Sequence, residues 1–193
     1  MKQNWRALLV AIALCMACRE RAQPLPELGQ VQQFSLNDQD GKVAGLESLA
    51  GRPWVAAFMF TRCPSICPRI TQAMKSLQAQ AKAKNLKVHW VSFSVDPGND
   101  TPAVLREYAQ KQGVDLANWS FLTGDLALIR KTAEEGLKQA FEGTADPSKP
   151  DFGITHGSHL VLVDAKGAIR GFYSTSDDAA LAQLLSDLAR LSP

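Results

Sequence analysis

An alternation of apolar runs and helical segments constrains this chain more than any other feature. The run "PWVAAFMF" (Pro53–Phe60) has the length of a strand and contains no polar side chain, as expected of a strand buried on both faces. From Pro68 to Lys84, "PRITQAMKSLQAQAKAK" then spaces Ile70, Met74 and Leu77 at helical intervals, with Pro68 acceptable in a first turn. "LKVHWVSFSV" (Leu86–Val95) reads as a second buried strand. "DTPAVLREYAQKQG" reads as a helix capped by Thr101, opened by Pro102 and closed at Gly113. "WSFLTG" (Trp119–Gly124) is a short strand, and "DLALIRKTAEEGLKQAF" (Asp125–Phe141) a third helix. "HLVLVDAKGAIRGFY" (His159–Tyr173) is a hairpin turning at Lys166-Gly167, and a last helix covers Asp177 to Leu191. Ahead of all these, "FSLNDQDGKVAGLESL" (Phe34–Leu49) alternates around Asp40-Gly41 as a first hairpin.

That order implies an α/β fold with a mainly parallel sheet covered by helices. A closing hairpin followed by a helix is the thioredoxin-like version, with a central mixed sheet flanked by helices and an N-terminal β-hairpin. At 193 residues and 46% hydrophobic, the chain is long enough for one such domain, placed at residues 33–193. "EGTADPSKPDFGITHG" (Glu142–Gly157) is left as a long loop, and loops of that length in compact domains tend to be functional.

The amino terminus sets the compartment. "MKQNWR" is short and positive, and the apolar "ALLVAIALCMAC" that follows is shorter than the ~20 residues a membrane-spanning helix needs. It fits a secretory segment, so residues 1–17 read as a signal peptide. Ala17-Cys18 resembles a bacterial lipoprotein cleavage site, which would make Cys18 the lipidated first residue. Residues 18–32, with the polar and proline-bearing "RERAQPLPELGQ", then form a membrane-proximal linker. The reading is of an extracytoplasmic protein, anchored to the membrane by lipid and facing the periplasm. Of the four cysteines, only Cys63 and Cys67 remain as free thiols in the mature domain. Lys+Arg number 21 against 19 Asp+Glu, and removal of Lys2 and Arg6 with the signal balances the charge. Nothing in that balance points to a nucleic-acid partner.

In open α/β sheets, ligands bind beyond the carboxyl ends of the parallel strands. Cys63 follows the first core strand closely, and Asp96 follows the second directly. The strand beginning near His159 should run antiparallel to the first, which brings His156 to the same edge. Cys63 and Cys67 lie four apart in "TRCPSICP", a spacing that suits two sulfurs on one metal and also permits a disulfide after some closure. The helix start at Cys67 and the flanking Arg62 and Arg69 favour ionised sulfur. A purely structural disulfide would close a five-residue loop and remove little chain entropy. Two thiolates and an imidazole make a three-donor set. Structural zinc wants four protein ligands, whereas soft thiolates select copper(I).

Other candidates fall away on position. His89 stands at the far end of its strand, and Met59 and Met74 read as core. His159 is a neighbour of the site first and a ligand second. Asp96 either hydrogen-bonds near the site or merely ends its strand.

These motifs resemble the Sco/SenC family, thioredoxin-fold proteins that assemble the copper centre of cytochrome c oxidase. The resemblance covers about Phe34 to Leu191. "TRCPSICP" is similar to that family's T-x-C-P-x-x-C-P, "SVDPGNDTP" to its S-x-D-P-x-x-D-T-P, "WSFLTG" to its W-x-x-L-T-G, and "ITHGSHLVLVDAKG" to the stretch holding its histidine ligand. It implies that Cys63, Cys67 and His156 bind copper(I) or copper(II), with Asp96 near them. It also implies a role toward the oxidase subunit that accepts copper, with a periplasmic copper donor or thiol reductant as further partners. Gly157 departs from the Ser or Thr common after the histidine, and His159 is an extra potential ligand.

Two functions lead, with a copper sensor or a resistance protein that stores the ion as a weaker third. The first is a metallochaperone that delivers copper to the dinuclear site of the oxidase. The alternative is a thiol–disulfide oxidoreductase in which Cys63 and Cys67 are the redox-active pair, reducing cysteines of the oxidase subunit or of other extracytoplasmic proteins. Redox motifs of the thioredoxin type usually have two residues between the cysteines rather than three, which favours the metal.

Overall fold

Every residue of the strand Trp54–Met59 is buried, as its lack of polar side chains requires. This strand is β3, after β1 (Ser35–Asn37) and β2 (Val43–Gly45), which pair antiparallel across a turn at Gly41, where φ is +75°. The structure is a computed structural model and describes residues 23–143, 146 and 148–192. The signal segment 1–17 and Cys18 lie outside the described residues.

A one-turn helix α1 (Leu46–Leu49) precedes β3, and the long helix α2 (Ile66–Ala83) follows it. The chain continues through β4 (His89–Ser94), α3 (Pro102–Gln112), β5 (Trp119–Leu122) and α4 (Leu126–Lys131). Two short strands, β6 (Phe141–Glu142) and β7 (Thr155–His156), lead to β8 (His159–Val163), β9 (Ile169–Ser174) and α5 (Asp178–Leu191). The central sheet has the order β5-β4-β3-β8-β9. β3, β4 and β5 are parallel, while β8 runs antiparallel to β3 and β9 antiparallel to β8. The mixed thioredoxin-like sheet and the amino-terminal hairpin expected from the sequence are therefore present. Trp54, Trp90, Trp119, Phe58, Phe93 and Phe121 fill the core on this sheet. α5 packs on β9 and α2, with Tyr173 donating to Asp187 at 2.9 Å.

Three local expectations need correction. The helix after β3 starts at Ile66 rather than Pro68, which places Cys67 inside its first turn. The helix expected over Asp125–Phe141 ends sooner. After α4 the backbone widens into a π-helical turn at Thr132–Gly136, and Phe141 is already in β6. Continuous apolar spacing across "LKQAF" gave no hint of that break. The long loop carries structure of its own, a 3-10 turn at Pro150–Gly153 and the antiparallel β6–β7 pair.

Part of the segment read as linker is also held against the domain. The Leu28 N–H donates to Ile169 at 2.9 Å, Gln30 bridges Ala168, and Val31 is buried. The backbone of this stretch pairs with β9, which a reading by polarity and proline content cannot see.

β8 lies between β3 and β9, and Leu162 on it is fully buried. Leu162→Ala should cost about 2–5 kcal/mol of stability. Denaturant unfolding checks this as a lower midpoint at unchanged slope; a cost below about 1 kcal/mol would contradict the tight packing assigned to this strand.

Candidate metal centre

The carboxyl ends of β3 and β4 are tied together by one carboxylate. Asp100 has no exposure and accepts from the Thr61 N–H at 3.0 Å, the Thr61 hydroxyl at 2.5 Å and the Ser94 hydroxyl at 2.6 Å. Asn99 donates to it at 2.9 Å. Thr61 is thereby fixed two residues before Cys63, whose own N–H donates to the Phe60 carbonyl at 3.3 Å. The chain then turns into α2, and the Cys67 N–H donates to Cys63 Sγ at 3.4 Å. A helix amino terminus leaves backbone donors free, and here one of them is aimed at a sulfur. Both cysteines are buried and unbonded to each other.

His156 arrives from the other end of the chain. β7 pairs His156 with Phe141 and Thr155 with Glu142, so the imidazole is carried by a strand rather than by a free loop. The hairpin depends on Gly143, whose φ is +85° and where a Cβ would overlap the Gly153 carbonyl. His156 Nδ1 lies 3.0 Å from the Gly157 carbonyl. With Nδ1 held at that oxygen, Nε2 is the ring nitrogen turned toward the sulfurs. Nε2 points at Cys67 Sγ from 3.2 Å. The two sulfurs and one ring nitrogen of Cys63, Cys67 and His156 all lie within 4.8 Å of one another.

The two thiols share one proton unequally. Cys63 is lowered from 9.0 to about 3, chiefly because the Cys67 side chain donates to it, with His156 helping and burial opposing. Cys67 is pushed up because it supplies that hydrogen bond and because it is buried. Cys63 is therefore the standing thiolate, a choice between the two sulfurs that the sequence did not make. The flanking arginines do not produce the shift. Arg69 is exposed, and Arg62 is engaged elsewhere.

Arg62 donates two hydrogen bonds to Asp96 Oδ2, at 2.8 and 3.1 Å. Its guanidinium carbon stands 4.5 Å above the Phe152 ring. Phe152 meets Phe60 edge-on at 6.1 Å, and Phe60 meets His156 in the same way at 6.1 Å. Asp96 is thus linked to the Phe152–Phe60–His156 rings only through Arg62, and burial raises its pKa against the pull of that guanidinium. His159 opens β8 opposite Ser174, exposed and outside the donor cluster. His89 pairs in register with Trp54 at the opposite end of the sheet and meets Ser120 at 2.9 Å. Met59 and Met74 are core.

Sequence reasoning missed Asp100, Phe152 and the β6–β7 hairpin. Asp100 had a signal, a second acid four residues after Asp96 and directly before the cap of α3. The hairpin had none, because two-residue strands are too short to show a period.

The SCO1/SenC family model matches residues 23–192. The chain belongs to that family. A SCO1/SenC family lipoprotein from Bacillus anthracis superposes with a TM-score of 0.79 at 34% identity, covering 88% of this chain and 99% of that one. BsSco, a member of the Sco family of cytochrome c oxidase assembly proteins in which a disulfide switch has been identified, gives 0.77 at 34% identity, covering 86% and 96%. Copper-bound ScoI of Bradyrhizobium japonicum gives 0.66 at 26% identity, covering 84% and 99%. Shared family places these helices and strands in a common order, and the thiols and imidazole described above lie at their shared sheet edge.

Two outcomes test this geometry. In the reduced, metal-free protein, thiolate absorbance should retain one thiolate as pH falls from 9.0 toward about 3, because a lowered pKa keeps the charge below the ordinary value. His156→Ala should shift that loss to higher pH; two thiolates titrating together near the ordinary value would contradict the shared proton. Arg62→Ala should free the Phe152 turn and speed amide exchange at His156 by about tenfold, with Arg62→Lys intermediate. Unchanged exchange in both variants would remove the clamp from the account.

Proposed function

We propose that this chain binds copper between Cys63, Cys67 and His156 and delivers it to the dinuclear copper site of cytochrome c oxidase during assembly. The observation that carries this reading is the set of two buried sulfurs and one imidazole nitrogen within 4.8 Å. Two soft thiolates and a borderline nitrogen match copper(I). The cluster has no fourth His, Cys, Asp or Glu donor among the described residues, so it lacks the closed shell of a structural zinc site. A three-donor site leaves a position at which an acceptor's ligand can attack and take the ion. Copper is cargo here.

Binding has a proton balance. Cys63 is already ionised, whereas Cys67 holds its proton and must release it to coordinate. Copper uptake is therefore accompanied by release of about one proton, and affinity rises with pH through the neutral range. Copper-bound ScoI and the oxidase-assembly role of BsSco support extending copper and the oxidase to this chain. The lipoprotein from Bacillus anthracis supports export, signal removal at residues 1–17 and lipid on Cys18. Among the described residues no helix is long and apolar enough to cross a membrane.

The same pair supports a second reading, thiol–disulfide exchange. A thiolate held at about 3 beside a protonated thiol is suited to closing a disulfide, and BsSco contains a disulfide switch. In that reading Cys63 and Cys67 pass two electrons to a disulfide partner and are returned by a thiol reductant.

Competition titration with copper(I) separates the readings. His156→Ala and Cys67→Ser should each weaken binding beyond the roughly 10–100-fold that loss of an outer partner costs, with the fold intact by circular dichroism. The wild-type affinity should climb about tenfold per pH unit, as one displaced proton requires. Unchanged affinity in His156→Ala ends the three-donor model. Rapid, copper-independent turnover of a disulfide substrate would put the oxidoreductase first.

A further inference from the structure

The pole of the domain opposite the metal centre has an arrangement that copper binding does not use. β3 and β4 start there, at the Trp54–His89 pair, and the β8–β9 turn lies beside them, with Val163 opposite Trp54. The six residues of β3 put about 17 Å of sheet between this base and the end that leads to Cys63. α2, α3 and α5 all point their carboxyl ends toward the base, because each begins at the end of the sheet that carries the site.

Several cations lie at the base, and most have a local reason. Lys82, Lys111 and Arg190 stand in the last turns of α2, α3 and α5, where helix dipoles favour positive charge. They also pair with Asp115, Glu107 and Asp187 respectively. Lys87 and Lys166 have neither reason, and Arg52 has only a hydrogen bond to the Ser48 carbonyl at the end of α1, at 3.2 Å. All three sit in loops, are exposed, and make no ion pair among the described residues. Their loops are adjacent. The Gly51 N–H donates to Ala165 at 3.0 Å and the His89 N–H to Pro53 at 3.1 Å, which knits 51–53, 87–89 and 165–166 into one surface. Acids lie here too: Asp38 lines one cavity with Arg52 and His89, and Glu47 stands on α1, while Asp115 is occupied by Lys82 at 3.0 Å, Asp164 by Arg170 at 2.7 Å, and Glu27 reaches Arg170 at 3.8 Å.

The amino-terminal segment is fastened at the same pole. Arg170 donates to the carbonyls of Leu25 and Pro26 at 3.1 and 3.3 Å, and Arg190 donates to the carbonyl of Gln23. Leu28 is bonded to Ile169 through its backbone while its side chain is 46% exposed. Four residues separate Cys18 from Gln23, which allows roughly 17 Å of chain at full extension.

We infer that this base, with Arg52, Lys87 and Lys166, lies on an anionic lipid surface and holds the metal centre facing away from the membrane. The inference rests on the reading that Cys18 carries the lipid. The four residues between Cys18 and Gln23 limit the height, and the stapling by Arg170 and Arg190 sets which pole comes down. The three unpaired cations meet phosphate headgroups while the copper site stays open to an acceptor. Charge near an anionic surface acts over a Debye length, about 10 Å at 0.1 M salt, which the tether brings within reach.

Lysine acylation footprinting of the full, lipid-modified chain tests this on vesicles of phosphatidylglycerol or of phosphatidylcholine. Lys87 and Lys166 should lose about fivefold or more of their labelling on the anionic vesicles and recover it at high salt. Lys149, in the loop beside the site, should label equally on both. In Arg52→Gln/Lys87→Gln, the protection of Lys166 should disappear while copper binding is retained. Equal labelling of Lys87 and Lys166 on both surfaces, or protection of Lys149 instead, overturns the orientation. So does protection that appears only on adding a copper-accepting oxidase domain, which would make the base a protein-docking face. Failure of the chain to stay on phosphatidylcholine vesicles counts against the lipid on Cys18, and the footprint on phosphatidylglycerol at low salt then still decides the face.

Discussion

A single buried carboxylate sets the geometry from which the site is built. Asp100 closes the gap between the ends of β3 and β4 by accepting hydrogen bonds from Thr61, Ser94 and Asn99. A buried acid is tolerated when its lone pairs are filled, and these partners come from both strands' exits. What this fixes is the departure angle of the chain after β3. Cys63 is placed by that angle and Cys67 by the first turn of α2, so the separation of the sulfurs does not depend on a disulfide.

On that frame the centre divides its charge before any ion arrives. One sulfur is ionised, the other holds the proton, and the imidazole turns Nε2 toward them while its far side is held at a backbone carbonyl. Two like charges are never buried side by side, which lets two cysteines remain close and reduced in a dry setting. The arrangement also explains why one motif can hold a soft cation or undergo exchange. Both need a ready thiolate with a second sulfur one helical turn away. The imidazole from β7 tilts the balance toward the cation.

The sheet was legible because its signals are long. "PWVAAFMF" and "LKVHWVSFSV" could hardly be anything but buried strands, and the helix after the second had caps at Thr101 and Gly113. The convergence of Cys63, Cys67 and His156 at one edge followed from strand direction alone. What could not be read was set by tertiary contacts. His156 is held by a two-residue strand pair, Arg62 spends its charge on Asp96 and Phe152, and the amino-terminal segment borrows hydrogen bonds from β9. Which of the two sulfurs carries the charge could not be read for a similar reason. The helix end does act, but it acts on the sulfur that its N–H faces, and that sulfur belongs to Cys63.

The central claim is that sulfur from both cysteines and nitrogen from His156 meet on one copper ion. X-ray absorption of the copper(I)-loaded protein tests it most directly. The account predicts a first shell with two sulfur scatterers and one nitrogen, the nitrogen vanishing in His156→Ala. A wild-type shell containing sulfur alone, or one that His156→Ala leaves unchanged, would contradict it.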